Sequence, residues 1–165
     1  MMKTVKVRQL SIEKFHRYGS YAQMIDPGTD ATGPKDAPIV FFRDMVQADI
    51  SKASFSVCRM EPRERIIDIG EFHNHTCEVA MPVDNDALVW VAPAGCEREV
   101  PVDQIEVFFV PKGTLFKVHP GVWHHAAFSA NDKPVNVLIV LPERAYINDC
   151  HGVPVPKAEW LRIEY

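Results

Sequence analysis

The sequence lacks any apolar run that approaches the twenty or so residues of a membrane-spanning helix, and its first residues, MMKTVKVRQLS, lack the apolar core of a signal peptide. It also lacks an excess of positive charge, since 18 lysine and arginine residues face 22 acidic ones and the formal net charge is -4. Such a charge balance gives no reason to expect binding to nucleic acid or to an anionic membrane. We therefore expect a cytoplasmic protein with neither kind of partner.

Cysteine pairs with the spacing of a zinc knuckle or of a dithiol redox motif are absent too. The four cysteines are far apart and form no CxxC: Cys58, Cys77, Cys96 and Cys150. We predict that they are free thiols, as in a reducing compartment. A chain of 165 residues fits a single domain, residues 1–165, that buries a core without disulfide or metal staples. Any bound metal is therefore expected to serve function.

Short apolar or alternating runs, separated by proline, glycine and aspartate, make up most of the chain. A helix that Ser11 caps and Gly19 ends follows the first strand, and Asp26–Pro38 is predicted to be a loop. Lys157–Tyr165 fits either a short helix or an extended tail. Many short strands indicate a barrel or a sandwich. The predicted strands are Lys3–Leu10, Ile39–Arg43, Phe55–Met60, Arg65–His75, Cys77–Pro82, Leu88–Ala92, Ile105–Val110, Leu115–His119, Ala126–Ala130 and Val135–Leu141.

Histidine is concentrated in two segments, EFHNHTCE and KVHPGVWHHAAF, which together hold five of the seven histidines. Neutral imidazole binds transition metals, so two clusters flanked by strands suggest one pocket. Residues two apart on a strand share a face, so we expect His73 and His75 to point the same way, together with Glu71. Glu78 reaches that face only if the chain bulges near Thr76 or Cys77. The alternative is a pair of solvent-facing histidines at a strand end.

The same two segments resemble the two motifs of the cupin superfamily. Gly113, five residues, HPG, two residues and His124 approximate Gly-x5-Pro-x-Gly-x2-His, with His119 in the place of the proline. His73, His75 and Glu78 approach His-x-His-x3-4-Glu, with the glutamate one residue early and the leading glycine missing. The resemblance implies an all-β fold, a cupin-type double-stranded β-helix (jelly-roll barrel) with a short N-terminal helix. It also implies a divalent transition metal (Ni, Zn, Mn or Fe) on His73, His75, Glu78 and His124.

A closer resemblance is to the ureidoglycolate lyases, formerly called ureidoglycolate hydrolases, which are cupins of about this length. VHPGVWHHAAF resembles their YHRGVWHHPLF, and four further segments resemble theirs in the same order: EKFHRYGSYAQMI, SVCRM, EFHNHTCEVAMPV and YINDC. The similarity marks Arg59, Glu71, His73, His119, His124 and His125 as family-like. The chain departs from the family at His75, Glu78, Lys117 and Ala126, and the first two departures add metal ligands.

The family resemblance implies a reaction, the elimination of urea from ureidoglycolate to leave glyoxylate, as in allantoin degradation and purine metabolism. This needs a base, an acid and a cation for the substrate carboxylate. We expect His119 or His124 to transfer protons, and Arg59 helped by Lys117 to bind the carboxylate. Arg59 equally fits a surface residue that closes a strand. His125 is expected to face away from His124 and to make a structural hydrogen bond.

The resemblance further implies a homodimer that acts on a small-molecule carboxylate. Two alternatives keep the fold and change the function. One is a metal-dependent isomerase or dioxygenase, and the other is a module that binds a small acid or sugar without converting it. The fold alone does not choose among them, because one barrel supports many reactions.

Overall fold

A computed structural model of the protein describes residues 2–28, 31–32, 38–95 and 98–165. Cys96 lies outside these residues, as do residues 29–30 and 33–37 of the predicted loop Asp26–Pro38. Within the described part, Cys58, Cys77 and Cys150 are free thiols. No helix among the described residues has the length and apolar character needed to cross a bilayer.

Strands dominate the described part of the chain, which confirms the all-β prediction with a short N-terminal helix. The two α-helices are α1 (Ile12–Phe15) and α2 (Ala145–Asn148), and 3-10 helices cover Val102–Gln104 and Lys157–Glu159. The strands are β1 (Lys3–Gln9), β2 (Gly19–Gln23), β3 (Ala53–Met60), β4 (Ile66–Ile67), β5 (Ile69–Gly70), β6 (Glu78–Pro82), β7 (Ala87–Ala92), β8 (Glu106–Val110), β9 (Thr114–Val118), β10 (Trp123–His124), β11 (Phe128–Ser129), β12 (Val135–Pro142), β13 (Val153–Pro154) and β14 (Leu161–Glu164).

Two sheets form most of the structure. The first has the strand order β10-β7-β8-β1-β14-β4, with β11 also paired to β7, and the second has the order β2-β9-β6-β12-β3. β5 and β13 form a separate pair. Strands distant in sequence are neighbours in both sheets. Strand pairing can therefore bring the two histidine segments together although they are far apart in sequence.

The strand β7 explains where the hydrophobic core lies. All six of its residues are buried, as its continuous apolar sequence requires. Val89 and Val91 pack in a cluster that contains Phe116 of the second sheet, so this cluster fills the space between the sheets. Trp90 and its neighbours on the opposite face of β7 pack in a second cluster with residues of β14. Each large side chain buried in this way contributes about 1.5–3 kcal/mol relative to an exposed one.

The N-terminal helix begins where the sequence predicts it. Ser11 caps α1 by accepting a hydrogen bond from the backbone N–H of Lys14. The predicted end is wrong, because α1 ends at Phe15 and Gly19 begins β2. A Cβ at Gly19 would lie 1.7 Å from the carbonyl oxygen of Lys117. Glycine is needed here because β2 approaches β9 closely.

Two predicted strands are wrong. Ile39–Arg43 forms no strand, and only an isolated bridge joins Phe41 to Thr32. Arg65–His75 splits into β4, which pairs with β14, and β5, which pairs with β13. Because the chain changes partner at Asp68, it does not continue as one strand to His75, and both histidines lie in irregular structure.

The structure also resolves the open question at the C-terminus. Lys157–Tyr165 is a 3-10 helix followed by β14, which pairs in parallel with β1 and antiparallel with β4. Leu161 and Ile163 of β14 are buried in the second cluster. Five elements were not predicted at all, namely β2, β10, β13, α2 and the 3-10 helix Val102–Gln104. Of these, β10 and α2 shape the candidate site.

Candidate metal centre

The two histidine segments meet through backbone hydrogen bonds. The N–H of Glu71 donates to the carbonyl of His124 at 2.7 Å, and the N–H of His124 donates to the carbonyl of Glu71 at 2.9 Å. The N–H of Gly121 donates to the carbonyl of His73 at 2.7 Å. Gly121 has a φ of +78°, a conformation that favours glycine, at the turn that brings the second segment alongside the first.

Three side chains converge where these segments meet. The Nε2 atoms of His73 and His124 lie 3.3 Å and 3.5 Å from the same carboxylate oxygen of Glu78. The side chains of His73, His124 and Glu78 are only 2%, 6% and 11% exposed. One ligand atom from each residue lies within 4.8 Å of the others. This group can hold a metal ion.

Backbone carbonyls fix the tautomer of both imidazoles. The Nδ1 atom of His73 lies 2.6 Å from the carbonyl oxygen of Asp149, and the Nδ1 atom of His124 lies 2.9 Å from that of Val122. A carbonyl only accepts, so each Nδ1 carries the hydrogen and donates it. In the neutral imidazoles, the Nε2 lone pairs then both face Glu78. Metal-binding histidines are commonly held in this way through their second nitrogen.

The Nε2 atom of His124 supports the same assignment. It is buried and has no hydrogen-bond partner among the described residues. A buried polar atom without a partner costs about 1–3 kcal/mol, so it calls for an explanation. An imidazole nitrogen that faces a second imidazole and a carboxylate is a donor set suited to a divalent transition metal. The residues present therefore fit the metal that the sequence motifs imply.

The charges of the three groups are strongly linked. Burial raises the pKa of Glu78, but the close polar contacts and the charge of His124 and His73 outweigh it and lower this pKa to about 2. Burial lowers the pKa of His73 and of His124, but contact with Glu78 outweighs this effect and raises both. The site thus favours an ionised carboxylate with positive charge beside it, which either a proton or a metal ion supplies.

A cavity of about 130 Å³ opens beside Glu78 and His124. Its apolar lining comes from both sheets, with Val89 of the first and Phe116 and Ile139 of the second. The cavity contains two carboxylates, and no lysine or arginine is among the described residues that line it. The lining residues are Cys58, Met60, Glu71, Glu78, Val89, Phe116, Val118, His124, His125, Ala126, Ala127, Ile139 and Tyr146.

The second carboxylate of the cavity, Glu71, is held by a cysteine. The thiol of Cys150 donates to Oε2 of Glu71 at 3.2 Å. Burial, the hydrogen bond to Glu71 and its charge raise the pKa of Cys150 to about 12. Cys150 is therefore a neutral donor near pH 7 and not a nucleophilic thiolate.

Among the four predicted metal ligands, the structure brings three together and separates His75. The prediction that His73 and His75 share a face is wrong, because the side chain of His75 is 84% exposed and that of His73 only 2%. Nδ1 of His75 lies 3.1 Å from the carboxylate of Asp149. Side chains two residues apart share a face only in a strand, and residues 73–75 do not form one. Glu78 reaches the site because residues 72–77, which are irregular, lead into β6 at that point.

The predicted catalytic residues other than His124 lie outside the cavity. Cys58 and Met60 of β3 line it, so Arg59 between them faces the other side of the sheet, where it pairs with Glu61 at 2.7 Å. Phe116 and Val118 of β9 line it, so Lys117 faces away for the same reason. His119 is exposed, and its backbone N–H donates to the carbonyl of Tyr18.

Sequence reasoning missed several residues of the site. His125 lines the cavity beside His124, against expectation, because β10 ends at His124 and the alternation of faces ends with it. Tyr146 lines it from α2, and Asp149 follows that helix. Both lie in the segment YINDC, whose family resemblance was the one sequence signal that singled this stretch out. No pattern in the sequence singled out Cys58.

Comparisons with known proteins agree with this picture. A family model described as Ureidoglycolate lyase matches residues 2–162 of the chain. None of the curated proteins matches the sequence. Among solved structures, the chain is similar to a dTDP sugar isomerase from Desulfovibrio desulfuricans G20, with 13% identity, 84% of each chain covered and a TM-score of 0.52. At this identity the likeness shows the fold alone, and it confirms the cupin-type double-stranded β-helix.

Weaker similarity extends to two oxalate decarboxylases. The structure of the Bacillus subtilis enzyme, described for its Mn(II) centres, is 15% identical, with 63% of this chain and 24% of that chain covered and a TM-score of 0.44. The Lactobacillus farciminis enzyme, in a formate complex, is 15% identical, with 63% and 27% covered and a TM-score of 0.43. The match spans about a quarter of those chains.

Proposed function

The chain belongs to the ureidoglycolate lyase family, and from this premise we propose that it cleaves ureidoglycolate, or a closely related small α-hydroxy ureido acid, into glyoxylate and urea with the help of a divalent transition metal. The observation that carries the proposal is the convergence of His73, Glu78 and His124, two of which, Glu78 and His124, line a small cavity. We assign those three side chains as the metal ligands.

The size of the cavity supports a small substrate. Sites for drug-sized ligands have volumes of about 300–1,000 Å³. A cavity of about 130 Å³ suits a molecule with few heavy atoms, such as a ureido acid, and is too small for a nucleotide sugar. This favours cleavage of a small acid over sugar-nucleotide isomerisation.

A metal ion would balance the negative charge of the cavity and of the substrate. His73, Glu78 and His124 would hold a divalent ion, which would supply the positive charge and Lewis acidity that a hydroxy acid needs in a cavity lined by two carboxylates. The neighbouring side chains then orient the substrate. The apolar lining residues Val89, Phe116 and Ile139 limit the water around the substrate.

Elimination removes a proton from the substrate hydroxyl, breaks the carbon–nitrogen bond and returns a proton to the departing nitrogen. Glu71 and His125 line the cavity beside the three ligands, and we assign the two proton transfers to them. The thiol of Cys150 holds the carboxylate of Glu71 in place. These roles replace those expected for His119, Arg59 and Lys117, whose side chains lie outside the cavity.

We also propose that the protein works in the cytosol as a homodimer, in allantoin degradation. Support for the dimer comes from β3, an eight-residue edge strand of the second sheet on which Phe55 and Val57 are 72% and 65% exposed. A long edge strand with exposed apolar side chains is a natural place for a second copy to pair. Light scattering on wild type and on Val57→Lys tests this, and a wild-type monomer contradicts it.

The reaction is tested by measuring urea and glyoxylate released from ureidoglycolate, above the spontaneous rate, by protein purified without chelator. We expect equal amounts of both products from wild type and from His16→Ala, a change of an exposed histidine that directly follows the N-terminal helix. His124→Ala is expected to lose the activity. No release above the spontaneous rate by metal-loaded wild type would overturn the proposal, and oxygen uptake with any product would favour a dioxygenase instead.

A further inference from the structure

One ligand of the candidate metal centre is supported differently from the other two. Glu78 begins β6 and His124 ends β10, so strand pairing fixes both backbones. His73 lies beyond β5 in irregular structure. In the described part of the chain, the bridge at Glu71 is the nearest strand pairing, and the N–H of Gly121 donates to the carbonyl of His73. A ligand on irregular backbone needs other contacts to hold its ring in the position that metal binding requires.

Further contacts come from residues 149–151, which directly follow α2. Each of the three residues hydrogen-bonds to one or more of residues 71–75. The thiol of Cys150 donates to Glu71, and the N–H of His151 donates to the carbonyl of Phe72 at 3.1 Å. The carbonyl of Asp149 accepts from Nδ1 of His73 at 2.6 Å.

Asp149 makes further contacts through its side chain. Its two carboxylate oxygens accept from the backbone N–H of Asn74 at 2.9 Å and from that of His75 at 2.8 Å. The residue is only 7% exposed. Hydrogen bonds to an ionised buried acceptor are about twice as strong as neutral ones. The side chain of Asp149 thus holds the two peptide units that follow His73 by hydrogen bonds, and its backbone carbonyl orients the His73 ring.

We propose that Asp149 is a positioning residue of the metal centre, whose carboxylate fixes the 73–75 backbone so that Nε2 of His73 faces Glu78 and His124. The inference rests on the proposed metal site and goes beyond it. Asp149 touches neither the cavity nor the three ligand atoms, so it acts through His73. Without the carboxylate, the N–H groups of Asn74 and His75 lose their acceptors, and the 73–75 backbone no longer holds the His73 ring firmly against the carbonyl of Asp149.

The test uses Asp149→Asn, which preserves the shape of the side chain but replaces one acceptor oxygen with a donor. The matched control is Asp84→Asn. Asp84 also accepts a backbone N–H, that of Asn136 at 2.8 Å, and lies outside the residues that line the cavity. Each protein is stripped of metal and titrated with Co²⁺, and both affinity and the visible spectrum of the bound ion are recorded. Circular dichroism confirms that each variant is folded.

We expect Asp149→Asn to bind Co²⁺ roughly 10–100-fold more weakly than wild type, with an altered spectrum, and Asp84→Asn to match wild type. The loss should disappear in a His73→Ala background, because a residue that acts through His73 has nothing to position there. In metal-free protein, ¹⁵N NMR of the His73 ring should show a protonated Nδ1 in wild type and a mixture of tautomers in Asp149→Asn.

The outcomes separate the two proposals. If wild type fails to bind Co²⁺ at all, the metal site and the role of Asp149 are both overturned. If wild type binds Co²⁺ and Asp149→Asn binds it equally well with the same spectrum, only the role of Asp149 is overturned. An equal loss with and without His73 also overturns it, since this shows a general structural effect.

Discussion

The imidazole rings of His73 and His124 lie 5.3 Å apart, centre to centre, with the carboxylate of Glu78 against both Nε2 atoms. This relationship does not arise within one strand. It arises because Glu71 and His124 pair through their backbones, which places the residue two after Glu71 beside His124. The metal centre is therefore a product of the pairing between the two histidine segments.

The position of Arg59 and Lys117 predicts that neither supports the reaction. Both face the side of their sheet opposite the cavity, and Arg59 is already paired with Glu61. Arg59→Ala and Lys117→Ala should each change kcat/KM for urea release by less than about threefold, because solvent-exposed ion pairs contribute little. A loss of more than about a hundredfold, the scale of a lost catalytic contact, would place these residues in the site after all.

The cavity should be sensitive to filling from one face of β12. Ile139 lines it, whereas Leu138 faces the other side of the same strand. Both Ile139→Phe and Leu138→Phe add volume, and overpacking costs about 1–3 kcal/mol of stability. Only Ile139→Phe should raise KM or abolish turnover, as measured in steady-state kinetics on protein shown to be folded. Equal kinetic effects of the two changes would mean that this cavity does not hold the substrate.

The sequence predicted the regular parts of the fold well, because their signals are local. β7, β8, β9 and β12 appear within a residue or so of the predicted bounds, since short apolar runs ended by turn residues identify strands without reference to partners. β4 and β5 show the limit of this reasoning. A continuous β pattern over Arg65–His75 cannot reveal that the two halves pair with different strands.

The sequence predicts that the site is a histidine-rich metal site, but it identifies only some of the residues that form it. His73, Glu78 and His124 follow from histidine spacing and motif likeness. The exclusion of His75 depends on where the chain leaves strand geometry, and the inclusion of His125 depends on where β10 ends. The support from Asp149 comes from a contact between segments about seventy-five residues apart in sequence, which a single sequence does not encode locally.

The raised thiol pKa of Cys150 predicts low reactivity. At pH 8 a thiol of pKa about 12 is ionised in roughly one molecule in ten thousand, against about a quarter for an unperturbed thiol. Carbamidomethylation of Cys150 by iodoacetamide, followed by mass spectrometry, should be at least roughly a hundredfold slower in native than in unfolded protein. Glu71→Gln should speed it by removing the charge that opposes thiolate formation. Equal rates in native and unfolded protein would contradict the buried Cys150–Glu71 contact.

The stability of the core should depend on Tyr18. This residue is fully buried, and its hydroxyl donates to the carboxylate of Glu106 at 2.6 Å. Tyr18→Phe should lower the free energy of unfolding by about 1.5–3 kcal/mol, the range for hydrogen bonds to charged groups. Tyr21→Phe is the control, because Tyr21 is partly exposed and its hydroxyl has no partner among the described residues.

Tyr18→Phe and Tyr21→Phe are best compared by urea denaturation in the presence of chelator, because bound metal adds to the apparent stability. A destabilisation by Tyr18→Phe no larger than that by Tyr21→Phe would show that the Glu106 contact contributes nothing.

The metal content of protein purified without chelator, measured by inductively coupled plasma mass spectrometry beside His124→Ala, tests the site of His73, Glu78 and His124 most directly. We expect about one divalent transition-metal ion per wild-type chain and a small fraction of that in the variant, since one of three ligands is missing. A wild-type protein that holds no transition metal even after incubation with one, or a variant that holds as much as wild type, would contradict the metal centre.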